Sequence, residues 1–225
     1  MTMASTDAWT SRDMAAAFAF AHSLFRKPTP GQHVWLLSLE CRNLCGELAA
    51  RVDRLPMPLD VPADCNDYAE RYIATFDVGT PAPPVSLIES HYNKREPIPR
   101  MLHENILFYR QFGLQLRDSS LESADHLRHQ LEFVQHLLEF QSQLAMSGQT
   151  AESAQVTQAL ADYVGRHLLS WLPEAIICAE EAPLQFAKSA LILAKSLAQQ
   201  IATSIEDGPR DTISVRMKEV QSCSE

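Results

Sequence analysis

PPVSLIESHY at residues 83–92, MLHENILFYRQFGL at 101–114 and ESADHLRHQLEFVQHLLEF at 122–140 carry the most informative reading of this chain. The first segment is a turn bounded by prolines. In the second, Leu102, Ile106, Phe108, Tyr109 and Phe112 recur at helical spacing, Pro99 suits the first helical turn and Gly113 ends it. In the third, Leu127, Leu131, Val134 and Leu138 recur at steps of four and three, which predicts a helix with one buried face. A polar break, Arg117-Asp118-Ser119-Ser120, separates the last two.

Outward from this stretch the same period persists. Thr10 or Ser11 caps a helix running to about Arg26, where Pro28 and Pro30 stop it. A second helix fits Gln32 to Val52, and Asp64 caps another through Tyr68, Tyr72, Ile73 and Phe76. Beyond the polar break, helices fit Ser123–Met146, Ala151–Trp171, Pro173 to about Glu180, and Pro183–Ile205. The alternation of a half-buried strand is almost absent, so the fold class is all-α.

The chain has 225 residues, 46% hydrophobic and 21% charged, a globular balance with room for a substantial core. Its formal net charge of −9 opposes nucleic-acid binding, which needs clustered Lys and Arg, and is compatible with a basic peptide partner. The apolar run from Met14 to Ala21 lacks a positive flank and is too short for a bilayer, so no membrane insertion and a cytoplasmic location are expected. The five cysteines form no disulfide framework and no zinc set, which predicts reduced thiols.

Several constellations admit more than one reading. Asp125, His129, Glu132, His136 and Glu139 share a face of the predicted 123–146 helix. That stripe reads as a solvated face, a polar surface touching a partner, or a metal site that lacks a second ligand helix. Glu122 and His126 stand one turn apart and can pair, and a helix start beside a polar break is expected to be exposed. In the turn at 89–92, Glu89 and Tyr92 either offer a carboxylate and a hydroxyl to a basic peptide or belong to a turn pinned by a buried tyrosine. Phe18, Phe20, Leu24 and Phe25 read as core.

The order of these elements resembles the TorD-like family of redox-enzyme maturation chaperones. The shared features are the Glu-Ser-x-Tyr turn at 89–92, the Phe-Tyr and Phe-Gly-Leu residues of the 101–114 segment, the hinge residues Glu122, Asp125 and His126, and the Leu-Glu-Phe helix that runs from Leu127 to Phe140. At Ser123 the family has proline. The resemblance implies an all-helical bundle of two halves, 1–117 and 127–206, joined by a hinge at 118–126, with 207–225 as a flexible tail. It implies a non-catalytic chaperone, monomer or homodimer, that binds the twin-arginine signal peptide or a nearby region of a molybdenum-enzyme catalytic subunit and assists molybdopterin cofactor insertion before export. The branch that serves type II enzymes of the DMSO-reductase family is the nearest in spacing.

On that resemblance the peptide-binding residues are Glu122, Asp125, His126, Glu89, Tyr92, Phe133, Leu137 and Phe140. The carboxylates would take the arginines, and exposed apolar side chains would take the apolar stretch beside them. No cofactor is tightly bound, with room for transient contact with the client's molybdopterin guanine dinucleotide. Two rivals stand beside this reading: a helical adaptor for an unrelated protein, and a metal-dependent helical enzyme using the His and carboxylate stripe.

Overall fold

The computed structural model describes residues 9–52, 59–94, 96–117 and 122–206. Residues 118–121 of the expected hinge and the expected tail from 207 onward lie outside the described residues. Ten α-helices and one short 3-10 turn make up the described fold, and the class is all-α as the periodicity predicts.

Helix α1 (Ser11–Leu24) starts with a capping box. The Thr10 hydroxyl accepts the Asp13 N–H, and the Asp13 carboxylate accepts the Thr10 N–H, both at 3.1 Å. Its buried residues Met14, Ala15, Ala17, Phe18, Phe20, Ala21 and Leu24 nearly encircle it, so it can only be stable at the centre of the core. It lies chiefly against α7 (Leu127–Met146) and also against α10 (Phe186–Glu206), while α8 (Thr150–His167) packs on both. Ser11 Oγ meets Gln141 at 2.8 Å, which sets the start of α1 against the far part of α7 and makes the pair antiparallel. Phe18, Phe25, Leu131 and Leu197 belong to one continuous apolar cluster that spans both expected halves.

The single helix expected over 32–52 is two, α2 (Pro30–Leu36) and α3 (Leu39–Arg51). Ser38 causes the break: its hydroxyl accepts the Cys41 N–H at 3.1 Å and so caps a new helix. Apolar spacing runs on through the break, which hides it. Cys41 and Cys45 are buried and free on α3, and Cys65 and Cys178 are free as well.

Helix α4 (Cys65–Phe76) is capped by the Asp64 carboxylate, which accepts the N–H groups of Asn66 and Asp67 at 2.9 Å. It ties distant parts together. Tyr72 donates its hydroxyl to the Phe25 carbonyl at 2.8 Å, and Thr75 Oγ1 accepts the Leu184 N–H at 2.9 Å. A one-turn helix, α5 (Glu89–Tyr92), comes next, then α6 (Ile98–Gln111). The chain leaves α6 at Gly113, whose φ of 77° is the left-handed conformation that glycine adopts without a Cβ clash. Helix α9 (Leu172–Cys178) and the 3-10 turn Ala179–Glu181 connect α8 to α10.

One expected boundary moves with consequence. Helix α7 begins at Leu127, capped by His126, rather than at Ser123. Ser123–Asp125 form a turn, and Ile88 and His126 make an antiparallel bridge. The Glu89 N–H donates to the Asp125 carbonyl at 3.1 Å and the Leu127 N–H to the Leu87 carbonyl at 2.7 Å. Backbone pairing therefore locks the 83–92 turn to the entrance of α7.

Candidate functional site

Beneath that bridge lies a buried polar network with Glu89 at its centre. The Glu89 side chain is fully buried, and a buried carboxylate is tolerable only with donors around it. It accepts hydrogen bonds from Gln130 Nε2 at 2.7 Å, His167 Nδ1 at 3.0 Å and Asn93 Nδ2 at 3.2 Å, with Asn105 Nδ2 at 3.5 Å. A carboxylate only accepts, so His167 carries its proton on Nδ1, and the Asn105 amide turns its N–H to the Met101 carbonyl at 3.1 Å. Asn105 Oδ1 accepts the Tyr163 hydroxyl at 2.8 Å, and Tyr109 donates to the Ala124 carbonyl at 2.8 Å. Burial raises both phenols well above the ordinary tyrosine range, which keeps them protonated as donors. The network joins α5, α6, α7 and α8 through one side chain.

Asp125 is a second buried carboxylate beside it. It accepts the Ser90 N–H at 2.9 Å and the Ser123 hydroxyl. This corrects the expectation that the hinge carboxylates face solvent. The turn before α7 folds inward because the Ile88–His126 bridge holds its backbone, and Asp125 is then needed for the open N–H of α5. Tyr92 is half-buried, its hydroxyl accepts the Ser86 N–H at 2.8 Å, and its ring stacks on Trp171.

Phe133 and Leu137 are likewise buried, against the expectation of exposed apolar side chains. Phe133 stands at the centre of an aromatic cluster, 4.6 Å from the Tyr163 ring and 5.0 Å from Tyr109 by centroid. Phe133 lies on the face of α7 that meets α6 and α8, and Leu137 is one turn further along that helix, so the apolar stripe is wider than the Leu127–Leu138 row alone. Phe140 is 38% exposed and does reach the surface.

Glu122 and His126 occupy the edge between core and solvent, with side chains 18% and 14% exposed. Glu122 takes Arg128 at 2.6 Å and lies 3.7 Å from His126 Nδ1 and 3.8 Å from His129 Nε2. His126 Nδ1 accepts the Arg128 N–H at 3.2 Å, so it caps α7 only while that nitrogen is unprotonated. Burial pushes the His126 pKa down to about 4, outweighing the pull of Glu122. His129 and His22 are also lowered, again chiefly by burial.

Glu122 also edges a groove of about 750 Å³. His129, Glu132, His136 and Glu139 of α7 form one wall, as their spacing predicts, and Leu114, Leu116 and Phe133 supply apolar lining. Asp125 is absent from that row because it precedes the helix. Among the described residues no group of three or more His, Cys, Asp or Glu is placed to hold a metal ion. No described helix is long and apolar enough to cross a membrane.

Sequence reading does not bring out Asn105, Tyr109, Gln130, Tyr163 or His167 as a polar set. Their partners lie up to 78 residues apart in the chain, and no local motif connects them. The one available signal is an Asn and a Gln on otherwise apolar helix faces.

The family model described as nitrate reductase delta subunit matches residues 37–176. Among curated proteins, the chain is 30% identical over 115 residues to a perchlorate reductase assembly chaperone protein of Dechloromonas aromatica (strain RCB), covering 51% of this chain and 50% of that one. It is 34% identical over 103 residues to a selenate reductase assembly chaperone protein of Thauera selenatis, 46% and 52% of the two lengths. It is 31% identical over 103 residues to a chlorate reductase assembly chaperone protein of Ideonella dechloratans, again 46% and 52%. The chain thus spans about half the length of the curated relatives it matches.

Two outcomes test this geometry. Glu89→Ala strands the Gln130 and His167 donors and should cost about 3 kcal/mol or more, with Asp125→Ala costing about 2 kcal/mol; urea unfolding measures both. Losses below about 0.5 kcal/mol would mean that these carboxylates are solvated. The second outcome is pH dependence. Because folding lowers the His126 pKa from 6.5 to about 4, the unfolded chain binds more protons in that window, so stability is full above it and falls as pH drops through it. His126→Asn keeps a capping side chain and should shrink the fall in Tm between pH 7 and pH 5.

Proposed function

The chain belongs to the nitrate reductase delta subunit family, and on that premise we propose that it is an assembly chaperone for the catalytic subunit of a molybdenum-containing reductase of the DMSO-reductase family. Its binding element is the α7 groove, and its ligand is the client's twin-arginine signal peptide or a neighbouring basic-apolar segment. The chaperone holds the client in the cytoplasm while the molybdopterin cofactor is inserted, and it catalyses no reaction itself. The names of the three relatives support the class of client.

The observation that carries the peptide reading is the pairing of carboxylates with apolar lining in a single open groove. Glu132 and Glu139 are exposed on one wall, and Leu114 and Leu116 are half-exposed on the other. Guanidinium groups meet carboxylates in bidentate fashion, and the apolar residues next to them in such a peptide find an apolar surface alongside. Glu122 lines this groove, His126 stands beside Glu122, and Phe140 is exposed; these are the expected peptide-contacting residues that remain accessible. Glu89, Asp125, Tyr92, Phe133 and Leu137 support the groove from below, by fixing the entrance and the inner face of α7.

The histidines add a condition. With their pKa values held down by burial, His126, His129 and His22 are neutral near pH 7 and do not repel a cationic peptide.

Titration calorimetry with a peptide carrying the Arg pair and its apolar stretch tests the reading. Arg→Lys in both positions should cost roughly 1–2 kcal/mol, because charge is kept and bidentate geometry lost. Glu132→Gln with Glu139→Gln should remove most of the difference between the Arg and Lys peptides. A peptide that binds equally well in either form, and only at low salt, would indicate a nonspecific acidic surface and sink the proposal.

A further inference from the structure

The α7 groove does not stop at the amino end of the helix. Arg128 and Lys27 line it and also line a second opening of about 750 Å³, walled by Arg26, Thr29, Gln32 and Trp35. Among the described residues no acidic side chain lines this second opening, in a chain whose formal net charge is −9. Arg128 is already engaged by Glu122 at 2.6 Å. Arg26 and Lys27 are exposed, and their side chains enter no ion pair among the described residues.

Charge is therefore ordered along one continuous surface. Glu139, His136 and Glu132 run along one end, His129 follows, and Arg26 and Lys27 mark the other end beside the Glu122–Arg128 pair. Eleven residues of helix separate Arg128 from Glu139 in the sequence, about 16 Å at 1.5 Å per residue. An extended chain covers that length in about five residues.

We propose that the two openings form one bipartite docking surface for a single extended peptide, whose basic residues lie over Glu132 and Glu139 and whose acidic residue, about five to seven positions away, lies over Arg26 and Lys27. The proposal rests on the peptide-binding reading of the groove and adds a charge order to it. Continuity through two shared side chains favours one ligand over two. The exposed Arg26 and Lys27, in no ion pair among the described residues, offer a partner for a carboxylate and so give the ligand a direction as well as a location. A peptide bound the wrong way round would set like charge against like at both ends.

The test uses the full chain and a fluorescent peptide that carries an Arg pair, an apolar stretch and one Glu six positions from the Arg pair. Its Glu→Gln counterpart should bind about tenfold more weakly to the wild-type protein by anisotropy. The double variant Arg26→Gln with Lys27→Gln should bind the two peptides alike, with an unchanged Tm because both side chains are exposed. Moving the Glu next to the Arg pair should also lose the advantage. Wild-type protein that binds both peptides equally well overturns the bipartite surface and leaves the groove reading intact. Failure to bind either peptide removes both. Inorganic phosphate alone is the control: tight phosphate binding together with indifference to the peptide Glu would make the second opening a site for a small anion, and the proposal would fall.

Discussion

A single buried carboxylate, Glu89, organises the middle of this molecule. Removing a carboxylate from water is costly unless the lost hydration is replaced by fixed donors. Here the donors are Gln130 on α7 and His167 on α8, both distant in sequence, with Asn105 on α6 and the neighbouring Asn93 at the end of α5. The donors on α6, α7 and α8 can reach Glu89 only if their helices have the native position and rotation. The carboxylate thus converts a generic apolar packing of helices into one arrangement. The Ile88–His126 bridge and the Asp125–Ser90 bond extend the constraint to the backbone at the entrance of α7.

From that entrance the groove takes its geometry. Because Leu127 N–H is committed to Leu87, the first turn of α7 has a fixed start, and His126 caps it. The side chains at 129, 132, 136 and 139 then line the groove, while Leu131, Val134 and Leu138 belong to the core. Buried network and open groove are two faces of the same helix. Tyr109 belongs to both, donating within the network and lining the groove.

The helices are largely legible in the sequence because their apolar residues recur at a period that a short window contains. Thr10, Asp64, Pro99 and Gly113 mark ends whose chemistry is local, and each stands where its residue type predicts. Ser38 is legible in principle, being a capping residue, yet uninterrupted apolar spacing conceals the break it makes. The polar face of α7 is legible at four positions and misleading at Asp125, since a charge next to a polar break looks exposed until a partner segment covers it. Burial of Glu89 and Asp125 depends on donors that come from other elements, and no single-sequence pattern contains that information. Phe133 and Leu137 look like surface residues because a helix packed between two others buries a wider face than one apolar row suggests.

Hydrogen exchange at the bridge tests the central claim most directly. If the Glu89 network and the Ile88–His126 bridge lock the 83–92 turn to α7, the amides of Glu89, Ser90 and Leu127 should exchange only through global unfolding. Their exchange free energies should then equal the stability measured by urea and fall with denaturant at the same slope. Exchange of these three amides several kcal/mol below the global value, with little dependence on urea, would show that the entrance of α7 opens locally and that Glu89 does not hold it.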